Sequence, residues 1–227
     1  MNLRKIINEG CVIKTSGTTG TPKDIIQTPE KLKAADEIAI ASQQLTSKSK
    51  VYTICKTTHA GGLLAQTLPA FRIGAEVSIE TFNAFSFCRE IKKYTHTHIT
   101  PGHAQLIMRT KGFKDLDLTG IWITCGSDPV EWNIIEAFVN RGATFMANWG
   151  MSEIGPCAIN RVFRTTDDIQ SVKDKDPILG TREWCETKII DSELYVRGDI
   201  CVYDSWFATG DLVKRQNGIL YYLGRKT

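Results

Sequence analysis

GIWITCGSDPVEWNIIEAFVNRGATFMA, residues 120–147, decides the fold class. Residues 120–124 form a short apolar, β-rich run. Pro129 opens a helical stretch reaching about Arg141, with Trp132, Ile135 and Val139 on one face at helical spacing. Residues 144–147 return to an apolar strand pattern. Strand, turn, helix and strand in that order predict two parallel strands joined by a helical crossover, because parallel neighbours cannot be linked by a tight hairpin.

The same alternation extends upstream. Residues 51–55 (VYTIC), 75–79 (AEVSI) and 98–100 read as strands, and 61–71, 85–94 and 102–110 read as helices between them. Thr28 followed by Pro29 gives an N-cap and a first-turn proline, starting a helix towards Leu45. After Cys157 the pattern becomes short alternating runs at 187–190, 193–197 and 200–203. Asn217-Gly218 stands between LVKRQ and ILYYLG, a strong short-range hairpin signal. The expected fold is α/β: a parallel-sheet core over residues 1–156, then a small antiparallel β region over 157–227 that completes the site.

Composition narrows the class. Hydrophobic residues make up 42% and charged residues 23% of the 227, and the net charge is +3. So mild a balance, with no basic run, gives no case for nucleic acid. The seven cysteines (Cys11, Cys55, Cys88, Cys125, Cys157, Cys185, Cys201) are scattered and form no CxxC pair, so neither a zinc site nor a disulfide framework is indicated. No segment reads as a signal peptide or a membrane span, and a reduced, cytoplasmic protein is the expectation. His96, His98 and His103 in YTHTHITPGH read as a strand entering a helix rather than as a metal site.

The most chemically loaded stretch is TSGTTGTPK, residues 15–23. Gly17 and Gly20 permit positive φ and close backbone approach, so successive N–H groups can turn towards an anion. Ser16, Thr18, Thr19 and Thr21 add hydroxyls, Lys23 adds a fixed positive charge, and Thr15 heads the candidate loop. These are the requirements of a polyphosphate cradle, although a solvated Gly/Thr turn has the same composition. The spacing GxxxxGK[ST] of the common NTPase loop is absent, which argues against a kinase or NTPase of that type.

TSGTTGTPK resembles the phosphate loop of the adenylate-forming superfamily, which comprises acyl-CoA synthetases, peptide-synthetase adenylation domains and luciferases. Further motifs of that superfamily follow in order. THAGGL, with His59, resembles the segment bordering the acyl pocket. CGSDP, with Gly126 and Ser127, resembles a turn beside the adenosine and acyl carbonyl. NWGMSE resembles the motif in which Trp149 lies on adenine, Gly150, Met151 and Ser152 line the nucleotide, and Glu153 holds Mg²⁺. ELYVRG resembles a structural strand of the family, with Ser192 in place of its first glycine. WFATGDL and the later Gly224-Arg225 resemble the ribose motifs, Asp211 accepting from both hydroxyls and Arg225 contacting the sugar.

The resemblance implies ATP-dependent activation of a small carboxylic acid to an acyl-adenylate, with ATP and Mg²⁺ required and coenzyme A as a further substrate. Lys23, His59 and Glu153 are the implied catalytic residues. The compactness and the HAGGL stretch look most like o-succinylbenzoate–CoA ligase. There are departures. Ala147 stands where relatives often place an adenine-binding asparagine, with Asn148 one position off. The segment upstream of the loop and the C-terminal domain with its lysine have no counterpart here. Losing one charged transition-state contact lowers rates by about 10²- to 10³-fold, so slow adenylation is expected. The alternative is a non-catalytic AMP/ATP- or acyl-binding remnant, or one subunit of a split synthetase. A homodimer or a partner chain is expected over the face that relatives cover.

Overall fold

The computed structural model describes residues 1–15 and 23–226. Its centre is a seven-stranded sheet in the order Arg182–Glu183, Gly155–Phe163, Thr144–Met151, Trp122–Cys125, His96–Ile99, Lys50–Thr53, Glu76–Ile79. The last five run parallel, and the first two are antiparallel to their neighbours. The unit read from residues 120–147 is present: Trp122 to Cys125 pairs in parallel with Thr144 to Ala147, and helix Trp132–Val139 crosses between them. That helix starts later than Pro129. Ser127 turns the chain at φ 84, and Glu131 is still extended as the N-cap, so residues 129–131 form wall rather than first turn.

Helices cover both faces of the parallel strands, as two-sided burial demands. On one face Phe113, Phe138 and Phe145 meet at ring distances of 5.0 and 5.8 Å. Phe138 is fully buried, and truncating such a ring to alanine costs about 3–5 kcal/mol. On the other face lies helix Pro29–Gln43, capped by the Thr28 hydroxyl, which accepts from Lys31 N–H. It stops at Gln44, whose left-handed φ of 55 ends the helix just before Leu45. The expected helix at 61–71 is a continuous helical run of three pieces, Ala60–Gly62, Leu63–Thr67 and Leu68–Arg72, the middle one a π turn. Between Pro29–Gln43 and Leu68–Arg72, the carboxylate of Asp36 accepts from Arg72 Nε at 2.6 Å. Burial pushes the Asp36 carboxyl up to about 6 despite that partner.

A second, fully antiparallel sheet has the order Glu186–Ile190, Glu193–Arg197, Phe207–Gln216, Ile219–Arg225, Ile178–Gly180. Asn217 and Gly218 both have positive φ (51 and 78) and link Gln216 to its partner Ile219, the two-residue hairpin read from the sequence. Asp191 and Ser192, at φ 48 and 65, make the same kind of turn between the first two strands. Residues 156 and 157, where the expected division falls, lie within Gly155–Phe163. That strand pairs with Thr144–Met151 and stays in the mixed sheet, and the antiparallel sheet begins only at Ile178. Trp149, Leu179, Leu194, Val196 and Leu220 join the two sheets in one apolar cluster.

Candidate functional site

In open α/β sheets the place to bind a ligand is outside the carboxyl ends of the strands, where the chain reverses its direction of growth across the sheet. Here the strand Lys50–Thr53 has Glu76–Ile79 on one side and His96–Ile99 on the other, which is such a reversal. A cleft of about 860 Å³ opens at those ends. Its walls carry Cys55 and Lys56, His98 and Thr100, Ser127 to Val130, and Asn148 to Glu153, each from the end of a different parallel strand. The second sheet closes it with Thr209, Gly210, Asp211, Tyr222 and Arg225.

On the second sheet's side of the cleft, Asp211 is bonded at both oxygens. Its side chain is 8% exposed, and Trp149 Nε1–H donates to Oδ2 at 2.8 Å while Arg225 Nη1–H donates to Oδ1 at 2.6 Å. A carboxylate has about four lone-pair sites, so two remain for a ligand's hydroxyls. Around it, Thr209 Oγ1 donates to Leu194 O at 2.7 Å and accepts from Asp211 N–H at 3.1 Å. Glu193 accepts from Gly210 N–H at 3.1 Å and from Lys226 Nζ at 2.6 Å. The Lys226 ammonium holds the Glu193 carboxyl below the usual carboxylate range. Burial, then the Asp211 charge, raises the Tyr222 phenol.

The loop 149–153 is held from two sides. Gln27 Nε2–H donates to Ser152 O at 2.7 Å, tying the ribbon Cys11–Lys14/Asp24–Gln27 to it. Val202 N–H donates to Glu153 O at 2.9 Å. The Asn148 side-chain amide donates to Pro156 O at 2.6 Å. Gly126 fits only as glycine, since a Cβ there would stand 2.3 Å from Asn148 O.

Of the residues singled out from the sequence, Thr15, Lys23, His59, Ser127, Trp149, Gly150, Met151, Ser152, Glu153, Asp211 and Arg225 all line this one cleft. Gly126 sits behind the wall that Ser127 presents. Ser16, Gly17, Thr18, Thr19 and Gly20 lie outside the described residues. Glu153 and Ser152 put a carboxylate and a hydroxyl side by side, hard oxygen donors of the kind Mg²⁺ takes. Sequence reasoning missed Gln27, Cys55, Lys56 and Thr100, and did not place His98 or His103 in the cleft. No short motif marks them. Among the described residues, no cluster of three or more His, Cys, Asp or Glu could hold a metal. His96 turns to Gln43 O at 3.1 Å and Thr95 Oγ1 at 2.8 Å instead.

A mixed parallel sheet with an antiparallel sheet closing its carboxyl edge is the fold of the N-terminal domain of adenylate-forming enzymes. The chain belongs to the AMP-binding enzyme family, whose pattern it matches over residues 11–210. It is 29% identical over 152 residues to the indoleacetate–CoA ligase of Aromatoleum aromaticum, which covers 63% of this chain and 29% of that protein. It is 24% identical over 155 residues to a feruloyl-CoA synthase of Amycolatopsis, covering 66% and 32%. The chain thus spans about a third of the length of these relatives. The o-succinylbenzoate coenzyme A synthetase of Bacillus subtilis in complex with AMP superposes with a TM-score of 0.79 at 20% identity, over 96% of this chain and 49% of that one. ATP-bound MatB from Rhodopseudomonas palustris gives 0.79 at 16% identity, over 96% and 48%.

Proposed function

We propose that the chain binds ATP and a carboxylic acid in one cleft and joins them: R–COO⁻ attacks the α-phosphorus, the bond to the β-phosphate oxygen breaks, and acyl-AMP and pyrophosphate result. The observation that carries this reading is the convergence of Lys23, Trp149, Glu153, Asp211 and Arg225, from separate segments, on a single cleft of an AMP-binding family member. Asp211 holds the ribose, with Arg225 beside it, and Trp149 offers a flat surface to the base. Lys23 and Thr15 face the phosphates. Glu153 would hold Mg²⁺, with Ser152 near the α-phosphate, and the ion would screen the phosphate charge. The attacking group is the substrate's own carboxylate, so the protein's part is positioning and charge compensation. His59 and Ser127 flank the acid. The coenzyme A ligases among the relatives make coenzyme A the natural acceptor of the acyl group.

Carboxylate-dependent exchange of labelled pyrophosphate into ATP tests this directly. Exchange with at least one acid is expected. ATP binding by calorimetry with no exchange for any acid would select the non-catalytic, nucleotide-binding alternative. One apolar surface also needs a cover: Val12 and Ile26 are cross-strand partners on the ribbon, 52% and 68% exposed. A second copy of the chain is the proposed occupant, and a monomer mass in light scattering at micromolar concentration would rule that out.

A further inference from the structure

His98 is 2% exposed yet belongs to the cleft wall. Its Nδ1 lies 3.0 Å from Gly61 O, and a carbonyl oxygen can only accept, so Nδ1 carries the proton. Burial drives the ring's pKa down to about 4, which keeps the imidazole neutral. Nε2 is therefore a bare lone pair, and it has no hydrogen-bond partner among the described residues. A buried acceptor without a donor costs about 1–3 kcal/mol, so a partner brought by a ligand has a ready place to gain affinity.

The surroundings define that partner. Cys55 donates its S–H to His98 O at 3.2 Å and is spent there. His103 stands close enough for its charge to weigh on His98; its own ring is held by stacking on Phe82 (3.9 Å between centroids) and by a long 3.8 Å contact from Nδ1 to Cys55 Sγ. Burial keeps His103 on the neutral side as well. His98 therefore offers the cleft one acceptor, the bare Nε2 lone pair. A hydroxyl answers it by donating its proton. An ether or a methyl group has no proton to give, and a carboxylate would meet the lone pair with repulsion. Gly61 keeps the place open, since a Cβ there would stand 2.7 Å from His98 Cε1 and 3.5 Å from Ser127 Oγ.

Resting on the acid-activation reading above, we propose that the acid this cleft takes carries a hydroxyl group, recognised by His98 Nε2 as acceptor. The test is calorimetry on the full chain in the presence of ATP. The ligands are the 2-, 3- and 4-hydroxy isomers of benzoate, phenylacetate and cinnamate, each against its parent acid and its methyl ether. At least one hydroxy acid should bind about tenfold tighter than both its parent and its ether. His98→Phe should erase that preference, with hydroxy acid, parent and ether binding alike to the folded variant. Hydroxy acids, parents and ethers binding alike in the wild-type protein would overturn the proposal without any variant. So would a preference that survives in a folded His98→Phe. No binding of any acid, with ATP still bound, would overturn the acid-activation reading itself and this inference with it.

Discussion

Two Asp–Arg pairs in this molecule have the same length, 2.6 Å from nitrogen to oxygen, and opposite purposes. Asp36 and Arg72 tie two helices together away from the cleft. One Asp36 oxygen and Arg72 Nη2 have no partner among the described residues, and burial raises the carboxyl. Asp211 and Arg225 sit on the cleft, where the indole of Trp149 holds the second oxygen of the aspartate. Distance alone does not separate a structural pair from a binding pair. Satisfaction does. The site's carboxylate is fully oriented and still has acceptor capacity facing a cavity, whereas the structural one is sealed with a bond missing.

The largest expected effect belongs to the sealed pair. Asp36 rises from 3.8 to about 6, and at 1.36 kcal/mol per pH unit that makes its ionised form cost about 3 kcal/mol in the folded chain. The stabilisation is complete below 3.8 and is lost as pH rises through 6, because only the unfolded chain ionises freely in that window. Urea unfolding between pH 4 and 7 should show this fall, and Asp36→Asn should flatten it; an unchanged slope in the variant would break the comparison. Next comes the open pair. Asp211→Asn should weaken ATP and AMP binding by about 30-fold, two charge-assisted hydrogen bonds being at stake. It should lower the urea midpoint as well, because the new amide NH2 would face either Trp149 Nε1–H or Arg225 Nη1–H. Equal losses of affinity in Asp36→Asn would show that the two pairs are not functionally distinct.

A smaller effect should follow from Gln27→Leu, which removes the donor to Ser152 O and leaves a carbonyl unpaired, at a cost of about 1–2 kcal/mol in stability. Pyrophosphate exchange should fall with it, since Ser152 and Glu153 are carried on the released loop. The smallest is a control that belongs to neither pair. Ser192 sits at φ 65, where glycine is unstrained, so Ser192→Gly should stabilise by about 0.5–1 kcal/mol without touching nucleotide affinity. A loss of stability there would mean the hydroxyl makes a contact that outweighs backbone strain.

What could be read from the chain beforehand divides along similar lines. Asp211 and Arg225 were singled out because WFATGDL and Gly224-Arg225 resemble the family's ribose motifs, and the structure brings the two side chains together. The Asn217-Gly218 turn was legible because its backbone chemistry is local. The membership of Gly155–Phe163 was not. GPCAINRVF announces a strand but says nothing about which sheet will pair with it, and that choice rests on partners in Thr144–Met151. Gln27 and His98 were hidden for the same reason. Each is an ordinary residue in an ordinary element, given its part by a contact to Ser152 or Gly61 far along the chain. The start of helix Trp132–Val139 slipped past Pro129 because Ser127 spends three residues turning the chain, a cost that proline statistics do not contain.

The bond from the Trp149 indole to Asp211 has an optical consequence. An indole in an apolar cluster, with its N–H held by a carboxylate, emits according to the field of that one charge. Whatever occupies the cleft and shares Asp211 changes that field. Of the five tryptophans, Trp149 is the one hydrogen-bonded to the carboxylate assigned to the ribose. If Asp211 holds the ribose as proposed, the difference in fluorescence between the wild-type protein and Trp149→Phe reports nucleotide arrival without a label.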